Sequence, residues 1–259
     1  MQERHKNRLL YFNEQVQTTE KYVIPYIEQV FPLREGLRVL EIGCGEGGNL
    51  KPFLDRGYDC TGIDLNKEQI ANARVFMADH PHLDRLTLIA EDIYNITPEQ
   101  YDLIILRDVI EHIHNQEKFM GFLKRFMAPG GVVFFGFPAW QMPFGGHQQI
   151  CISRLSKMPF IHLLPAKLYA GLMRKAGESE STIEGLLEIK ETGISIERFE
   201  RILRKEHYRT LRKTLWFIQP NYEVKFHLHQ CRVAPVLRSI PWLRNFYTTA
   251  GCYVVAVES

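Results

Sequence analysis

Residues Val39–Gly48 read VLEIGCGEGG, a mostly apolar run that ends in a glycine-rich turn. The first part, Val39–Ile42, is typical of a buried parallel strand. The glycines let the backbone approach a ligand because they carry no Cβ. A helix is predicted over residues 50–56, so the turn joins the carboxyl end of a strand to the amino end of a helix. Doubly wound α/β folds bind nucleotides at such a turn.

The same turn matches the G-x-G-x-x-G pattern of dinucleotide-binding folds through Gly43, Gly45 and Gly48. Glu41 argues against a dinucleotide, because a carboxylate so close to the first glycine would repel a pyrophosphate. It suits a ligand that carries an ammonium group and no phosphate. S-adenosylmethionine, with an amine, a sulfonium and an adenosine, is such a ligand. A nicotinamide-dependent oxidoreductase remains the alternative within this fold.

Three later stretches extend the pattern along an alternating α/β chain. Asp64 follows a second strand-like run, Glu91-Asp92-Ile93 closes a third, and YDLIILRDVIEHI forms a fourth at 101–113. On these motifs, residues 35–137 resemble the class I S-adenosylmethionine-dependent methyltransferases. The resemblance implies that Asp64 holds the ribose hydroxyls and that Asp92 lies beside the adenine.

The resemblance also implies a fold and a cofactor. We expect a Rossmann-like, doubly wound and mostly parallel sheet of seven strands, with S-adenosyl-L-methionine as the cofactor of a small-molecule methyltransferase. Cofactor contacts are expected from the strand ends and the N-terminal helix, namely from Glu41, Gly43, Cys44, Gly45, Asp64, Leu65, Asp92, Ile93, Arg107 and Tyr11.

The chain is predicted to form a single domain with four parts. A helical lead-in covers residues 1–34, with a break at Pro25, and the cofactor-binding core covers 35–137. The third part, 138–194, is a helical lid inserted after strand five. The fourth, 195–259, returns to the sheet and contains a second excursion over 219–250. Loops of this length are usually functional lids or small subdomains.

Bulk properties narrow the class of protein. A formal net charge of +2 over 259 residues argues against a strongly basic nucleic-acid binder. Five cysteines without a C-x-x-C pair indicate a reduced, intracellular chain. The segment 1–7 is polar, so no signal peptide is predicted. The longest apolar run, Gly131–Trp140, is shorter than the about 20 residues that span a bilayer. We therefore expect a soluble, cytoplasmic protein.

Acidic residues are missing from a long stretch of each excursion. No Asp or Glu lies between Glu117 and Glu178, or over Val224–Val257, while basic and apolar residues continue through both stretches. This pattern favours an acceptor with a negative head and an apolar or aromatic body, for which lipid- and sugar-linked molecules are candidates. Peripheral contact with an anionic membrane also fits the pattern, and an oligomer interface is the structural alternative. The lid cations in question are Arg154, Lys157, Lys167, Arg174 and Lys175.

The candidate catalytic bases are histidines. His147 lies on a glycine-bearing loop just past the fifth strand, and an unperturbed histidine pKa near 6.5 suits proton transfer from an oxygen or nitrogen acceptor. His112 follows the fourth strand and is the second candidate. Either histidine could instead be structural.

Two further readings concern metals and the class of protein. The spacing His227-x-His229-x-Cys231 would place three ligands on one strand face, but no fourth ligand is evident and we predict no metal. A catalytically silent cofactor-binding or scaffold protein of this fold is the alternative from another class.

Overall fold

Eight strands form one sheet in the computed structural model, which describes residues 7–258. Residues 1–6, which entered the prediction about a signal peptide, lie outside that range. The strands are β1 (Arg38–Ile42), β2 (Asp59–Asp64), β3 (Leu86–Ala90), β4 (Tyr101–Arg107), β5 (Met127–Phe137), β6 (Tyr208–Ile218), β7 (Cys231–Arg232) and β8 (Ala250–Val257).

The strand order is β3-β2-β1-β4-β5-β8-β6-β7. The strands from β1 to β5 are all parallel, whereas β8 pairs antiparallel with both β5 and β6. The chain reverses its direction of travel across the sheet between β1 and β4, and ligands bind at such a switch point. The Rossmann-like, mostly parallel sheet is confirmed. The count of seven strands is wrong by one, because the short strand β7 pairs with the edge of β6.

Eleven α-helices occur within residues 7–258. They are α1 (Arg8–Thr18), α2 (Ile24–Glu28), α3 (Lys51–Leu54), α4 (Lys67–Phe76), α5 (Gln116–Leu123), α6 (Ala166–Lys175), α7 (Glu180–Thr192), α8 (Ile196–Lys205), α9 (Asn221–Phe226), α10 (Pro235–Ser239) and α11 (Leu243–Phe246). Short 3₁₀ helices lie at Leu83–Arg85, Ile93–Asn95, Ile110–His112, Lys124–Phe126, Gln148–Ile150, Arg154–Lys157 and Ile161–Leu163.

The lead-in is helical from Arg8 to Glu28, and the predicted break at Pro25 is wrong. The irregularity is a π-helical turn, Thr19–Val23, which joins α1 to α2. Pro25 lies in the first turn of α2, directly after this π-helical turn.

Two helix starts agree with their sequence signals. Asn66 begins α4 by accepting hydrogen bonds from the backbone N–H of Glu68 and of Gln69. Ser195 caps α8 by accepting from the N–H of Arg198 at 3.1 Å. These caps satisfy donors that a helix leaves free at its first turn, so they fix where both helices begin.

Helices cover both faces of the sheet. On one face, α1, α2, α3 and α4 pack on Val39, Leu103 and Ile105. On the other face, α5 and α8 pack on Leu40, Ile104 and further apolar side chains of β5 and β8. Because both faces are buried, the strands read as nearly continuous apolar runs.

The lid has a small core of its own. Cys151, Tyr169, Met173, Ile183 and Leu186 are buried together, so that α6 packs on α7. The lid is therefore helical, as predicted, while its boundaries remain a prediction. No helix among residues 7–258 is long and apolar enough to cross a membrane.

The segment His227–Cys231 does not form the predicted strand face. His227 ends α9 in a left-handed conformation, and only Cys231 joins β7, where it is exposed. The alternation that would align three ligands is therefore absent from this segment.

Candidate active site

The glycine-rich turn after β1 has a backbone that only glycine adopts easily. Gly43 and Gly45 have φ of +70° and +53°, in the left-handed region that disfavours residues with a Cβ. A Cβ on Gly43 would also lie 2.5 Å from Cγ2 of Val109. The turn therefore closes tightly against the loop after β4, and Cys44 is buried within it.

A hydrogen-bonded chain crosses from β1 to β4 beneath this turn. Asn49 Nδ2 donates to Oε1 of Glu41 at 2.7 Å, and Asn49 Oδ1 accepts from Nη1 of Arg107 at 2.8 Å. Glu41 is fully buried, and its second oxygen has no hydrogen-bond partner among residues 7–258. Burial raises the pKa of Glu41 to about 8. The charge of Arg107 offsets this rise only in part, and an ammonium group beside the carboxyl would favour its ionised form further.

Asp64 lies at the carboxyl end of β2 and is partly buried. Its Oδ2 accepts from the N–H of Gly45 and its Oδ1 accepts from the N–H of Asn66, both at 2.8 Å. The carboxylate thus holds the glycine-rich turn to the start of α4. Each oxygen keeps acceptor capacity, because a carboxylate oxygen can accept more than one hydrogen bond.

Leu65, Asp92 and Ile93 lie at the next two strand ends. The Leu65 side chain is 73% exposed, which is unusual for leucine and leaves an apolar surface free for a flat ring. Asp92 begins a 3₁₀ turn by accepting from the N–H of Tyr94, and Ile93 is buried beneath it. The adenine site implied by the resemblance therefore has an apolar side and an acidic edge.

The lead-in helix lies directly over the turn. A Cβ on Gly48 would be 2.6 Å from the backbone oxygen of Phe12, and Arg8 forms an ion pair with the buried Glu46. Burial raises the pKa of Tyr11 to about 12, with a further contribution from Asp108. Tyr11 is therefore close to the end of β4, where a cap over the cofactor would lie.

Two histidines and a glutamate meet beyond the end of β4. The His112 and His147 rings are 5.0 Å apart, and ligand-type atoms of Glu111, His112 and His147 lie within 4.8 Å of one another. Glu111 is buried and neither carboxylate oxygen has a hydrogen-bond partner among residues 7–258. Burial raises the pKa of Glu111 well above its usual value. These residue types also bind metal ions, and the absence of a metal remains a prediction.

The pKa of His147 differs from its predicted value near 6.5. Burial, and then the charge of His112, lower it to about 4. The backbone of His147 has φ of +55°, and its backbone N–H donates to the carbonyl of Phe144 at 3.1 Å. The imidazole is therefore neutral at physiological pH and can accept a proton. Burial also lowers the pKa of His112, which is the more exposed of the two rings.

A cavity of about 260 Å³ opens at the end of β4, and neither histidine is part of its wall. It lies between the lead-in helices and the carboxyl-terminal half of the sheet, and Arg107 and Asp108 are part of its wall. The Asp108 charge also acts on the pKa values of Glu111 and His112. Asp108 is thus a residue of the cavity wall whose charge acts on the histidine pair through His112. Four aromatic side chains line the cavity, namely Tyr22, Tyr26, Phe134 and Trp216.

The lid cations do not contribute to this cavity. Its lining contains none of Arg154, Lys157, Lys167, Arg174 and Lys175. Arg174 forms an ion pair with Glu180, just past the acid-free stretch. The predicted cationic mouth is therefore not formed by the lid around the cavity.

Several residues of the site have no signal in the sequence motifs. Asn49 and Glu46 lie within or just after the glycine-rich turn, yet only the fold shows that they face Glu41 and Arg8. Arg212 and Tyr26 meet across 186 positions of sequence, with the guanidinium 4.3 Å from the ring centroid. Asp108, by contrast, lies within the motif at 101–113, directly after a strand whose end carries other site residues.

The sequence matches a known family over most of its length. The profile of a family described as a methyltransferase domain matches residues 12–177. A ubiquinone biosynthesis O-methyltransferase of Aeromonas salmonicida (strain A449) is 33% identical over 100 residues, which is 38% of this chain and 42% of that protein. One of Rhodopseudomonas palustris (strain HaA2) is 37% identical over 102 residues, 38% of each chain. The match thus spans less than half the length of these relatives.

Solved structures share the fold. A PKMT2 structure from Rickettsia typhi, in complex with AdoHcy, has a TM-score of 0.55 at 18% identity and covers 92% of this chain and 53% of that one. The plantazolicin methyltransferase BamL, in complex with a desmethylPZN analog and SAH, has a TM-score of 0.56 at 12% identity and covers 98% and 89%. At these identities the likeness establishes the architecture alone.

Proposed function

The chain belongs to the methyltransferase-domain family, and from this membership we propose that it transfers a methyl group from S-adenosylmethionine to a small-molecule acceptor. The observation that carries the proposal is the buried Glu41 carboxyl, which has one oxygen free of hydrogen bonds at the end of β1. A site for an ammonium-bearing ligand needs such a group, whereas a pyrophosphate site would exclude it.

The residues around the turn fit S-adenosylmethionine part by part. Glu41 would bind its ammonium group, Asp64 its ribose hydroxyls, and Leu65 with Asp92 its adenine. Backbone atoms of Gly43, Cys44 and Gly45 would line the remaining surface, with Ile93 and Arg107 beside them and Tyr11 above. Bound in this way, the cofactor would supply an electrophilic methyl group on its sulfonium.

The chain itself would supply alignment, exclusion of water and a proton acceptor. In-line displacement depends mainly on holding the acceptor atom in position. The helix that carries Tyr11 covers the turn, which excludes water from the reacting atoms. Asn49 would orient Glu41 and Arg107 together through its two hydrogen bonds.

The His112–His147 pair is the proposed base. His147 is neutral at physiological pH because burial lowers its pKa to about 4, so it is free to take the proton of an acceptor hydroxyl or amine as that group attacks the methyl and its proton becomes strongly acidic. The Glu111 carboxyl lies 4.0 Å from Nε2 of His112, and its ionised form would stabilise the charge that the pair gains. A base near a reacting hydroxyl contributes about 10²- to 10⁴-fold to the rate.

Oxygen is the favoured acceptor atom. The curated relatives are described as O-methyltransferases, and a neutral imidazole is suited to take a proton from a hydroxyl group. N-methylation would use the same base. A catalytically silent protein would bind the cofactor without turnover, and an oxidoreductase would bind a nicotinamide instead.

The test is a turnover measurement with methyl-tritiated S-adenosylmethionine and a panel of phenols, aromatic acids and amines. We expect acceptor-dependent labelling together with formation of S-adenosylhomocysteine, both reduced in the Glu41→Gln variant. Binding of S-adenosylhomocysteine without labelling of any acceptor would instead favour the silent protein.

A further inference from the structure

We propose that the cavity between the lead-in helices and β6 binds the methyl acceptor, and that this acceptor is a single-ring aromatic acid whose anionic group lies by Arg212 and Arg232. The inference rests on the proposed function, which it extends by naming the class of acceptor and its site.

The charge of the cavity is the first argument. Its wall contains Lys21, Arg107, Arg212 and Arg232, but only one carboxylate, that of Asp108. Lys21 already pairs with Glu223 and Arg107 bonds to Asn49. Within residues 7–258, no carboxylate lies at ion-pair distance from Arg212 or Arg232, and Arg212 Nε is buried without an acceptor. An anion of the ligand would supply that acceptor.

The walls of the cavity are aromatic beside these two cations. The Arg212 guanidinium lies 4.3 Å from the centroid of the Tyr26 ring, and Arg232 lies 5.8 Å from that of Trp216. Phe134 meets Tyr26 edge-on at 6.0 Å. A flat ring finds aromatic contacts on these walls, while a carboxylate on that ring meets guanidinium donors that suit its planar shape.

The size of the cavity limits the ligand. Its volume is about 260 Å³, and protein cavities of about 150 Å³ hold a benzene ring. One ring with a carboxylate and a few small substituents therefore fills it.

The register of the sheet sets the direction of the ligand. Arg107, Gly136, Cys252 and Thr214 lie opposite one another on β4, β5, β8 and β6. Strands are spaced by about 4.8 Å, so β4 and β6 are ~14 Å apart. An acid held near β6 would thus direct the far side of its ring toward β4 and Asp108, whose charge acts on the pKa of His112.

The experiment measures binding by calorimetry, with and without saturating S-adenosylhomocysteine. The probes are 4-hydroxybenzoate and its neutral isostere 4-hydroxybenzamide. The variants are Arg212→Gln and Arg232→Gln, and the controls are Arg154→Gln and Lys167→Gln, which each remove one cation from the exposed lid. Melting temperatures show whether Arg212→Gln destabilises the fold by loosening the contact with Tyr26. Arg232 is exposed, so Arg232→Gln tests the anion site without such a loss of stability.

We expect the wild type to prefer the acid over the amide by about tenfold or more, the size of one charged hydrogen bond. Either cavity variant should reduce this preference below about threefold, while both lid controls and the affinity for S-adenosylhomocysteine stay unchanged. Equal binding of acid and amide by the wild type, or loss of the preference in the lid controls alone, would overturn the proposal. Acid preference without any S-adenosylhomocysteine binding would support the anion site and overturn the methyl-transfer function.

Discussion

Asn49 Nδ2 lies 2.7 Å from Oε1 of Glu41, within a site where the other Glu41 oxygen has no partner. The hydrogen bond orients the carboxyl group without neutralising it. A buried carboxyl left in this state is costly when ionised, which is why the pKa of Glu41 rises to about 8. Burial of Glu41 therefore lowers the stability of the folded chain, and in return the site holds a carboxyl group that can bind a cationic ligand.

This cost predicts a dependence of stability on pH. Folding raises the pKa of Glu41 from 4.5 to about 8, so between these pH values the folded chain holds a proton that the unfolded chain has released. The Glu41 contribution to the free energy of unfolding therefore falls as pH rises through this window.

The Glu41→Gln variant should accordingly melt above the wild type at pH 8.5 and about equally at pH 5, while binding S-adenosylhomocysteine at least about tenfold more weakly. Thermal melts at the two pH values and calorimetry measure both effects. A variant that melts lower at pH 8.5 would contradict the raised pKa, and unchanged affinity would contradict the role of Glu41.

Asp64→Asn should weaken both cofactor binding and the fold. Charged hydrogen bonds to ribose hydroxyls are worth about 1.5–3 kcal/mol each, so affinity should fall at least about tenfold. The Asp64 carboxylate also accepts from the N–H groups of Gly45 and Asn66, so the melting temperature should fall as well. Asp59→Asn, at the exposed opposite end of β2, is the matched control. Wild-type affinity in Asp64→Asn would remove Asp64 from the cofactor site.

His147→Asn tests the base. Asn accepts the left-handed backbone of this position better than most residues, so the fold should be preserved. Turnover should fall about 10²- to 10⁴-fold with cofactor affinity unchanged. His229→Asn, on an exposed loop, should have no effect. Near-normal turnover in His147→Asn would make this histidine structural.

The pH–rate profile of the wild type tests the same residue differently. Because burial lowers the pKa of His147 to about 4, its protonation should not limit turnover between pH 6 and 8, and the rate should decline only as pH falls toward 4. A limb with an apparent pKa near 6.5 that is missing in His147→Asn would show that the histidine titrates normally during turnover.

The strand ends of the core were predictable because each combines a local pattern with a fixed place in the fold. A strand, a glycine-rich turn and a helix start occur together at Glu41–Asn49, so the position of Glu41 follows from its neighbours. The extra strand β7 was not predictable, since two residues show no alternation and pair only because β6 is present. The break expected at Pro25 is replaced by the π-helical turn Thr19–Val23 just before it, which no local sequence pattern indicates.

The acceptor region was predicted from composition, and composition does not say where side chains point. Acidic residues are absent from residues 118–177, yet the lid cations lie away from the cavity, and the cations that line the cavity come from the lead-in, β4, β6 and β7. Arg212 became a candidate only when the fold placed it on Tyr26. The pKa of His147 likewise depends on burial, which no motif encodes.

The most direct test of the account is a calorimetric titration of the purified chain with S-adenosylhomocysteine, run beside a titration with NADH. We expect saturable one-to-one binding of S-adenosylhomocysteine, weakened by Glu41→Gln, and no binding of NADH. Binding of NADH would contradict this expectation. So would the absence of heat from S-adenosylhomocysteine at concentrations up to about 1 mM, at which even a binding free energy of about −4 kcal/mol gives half-saturation.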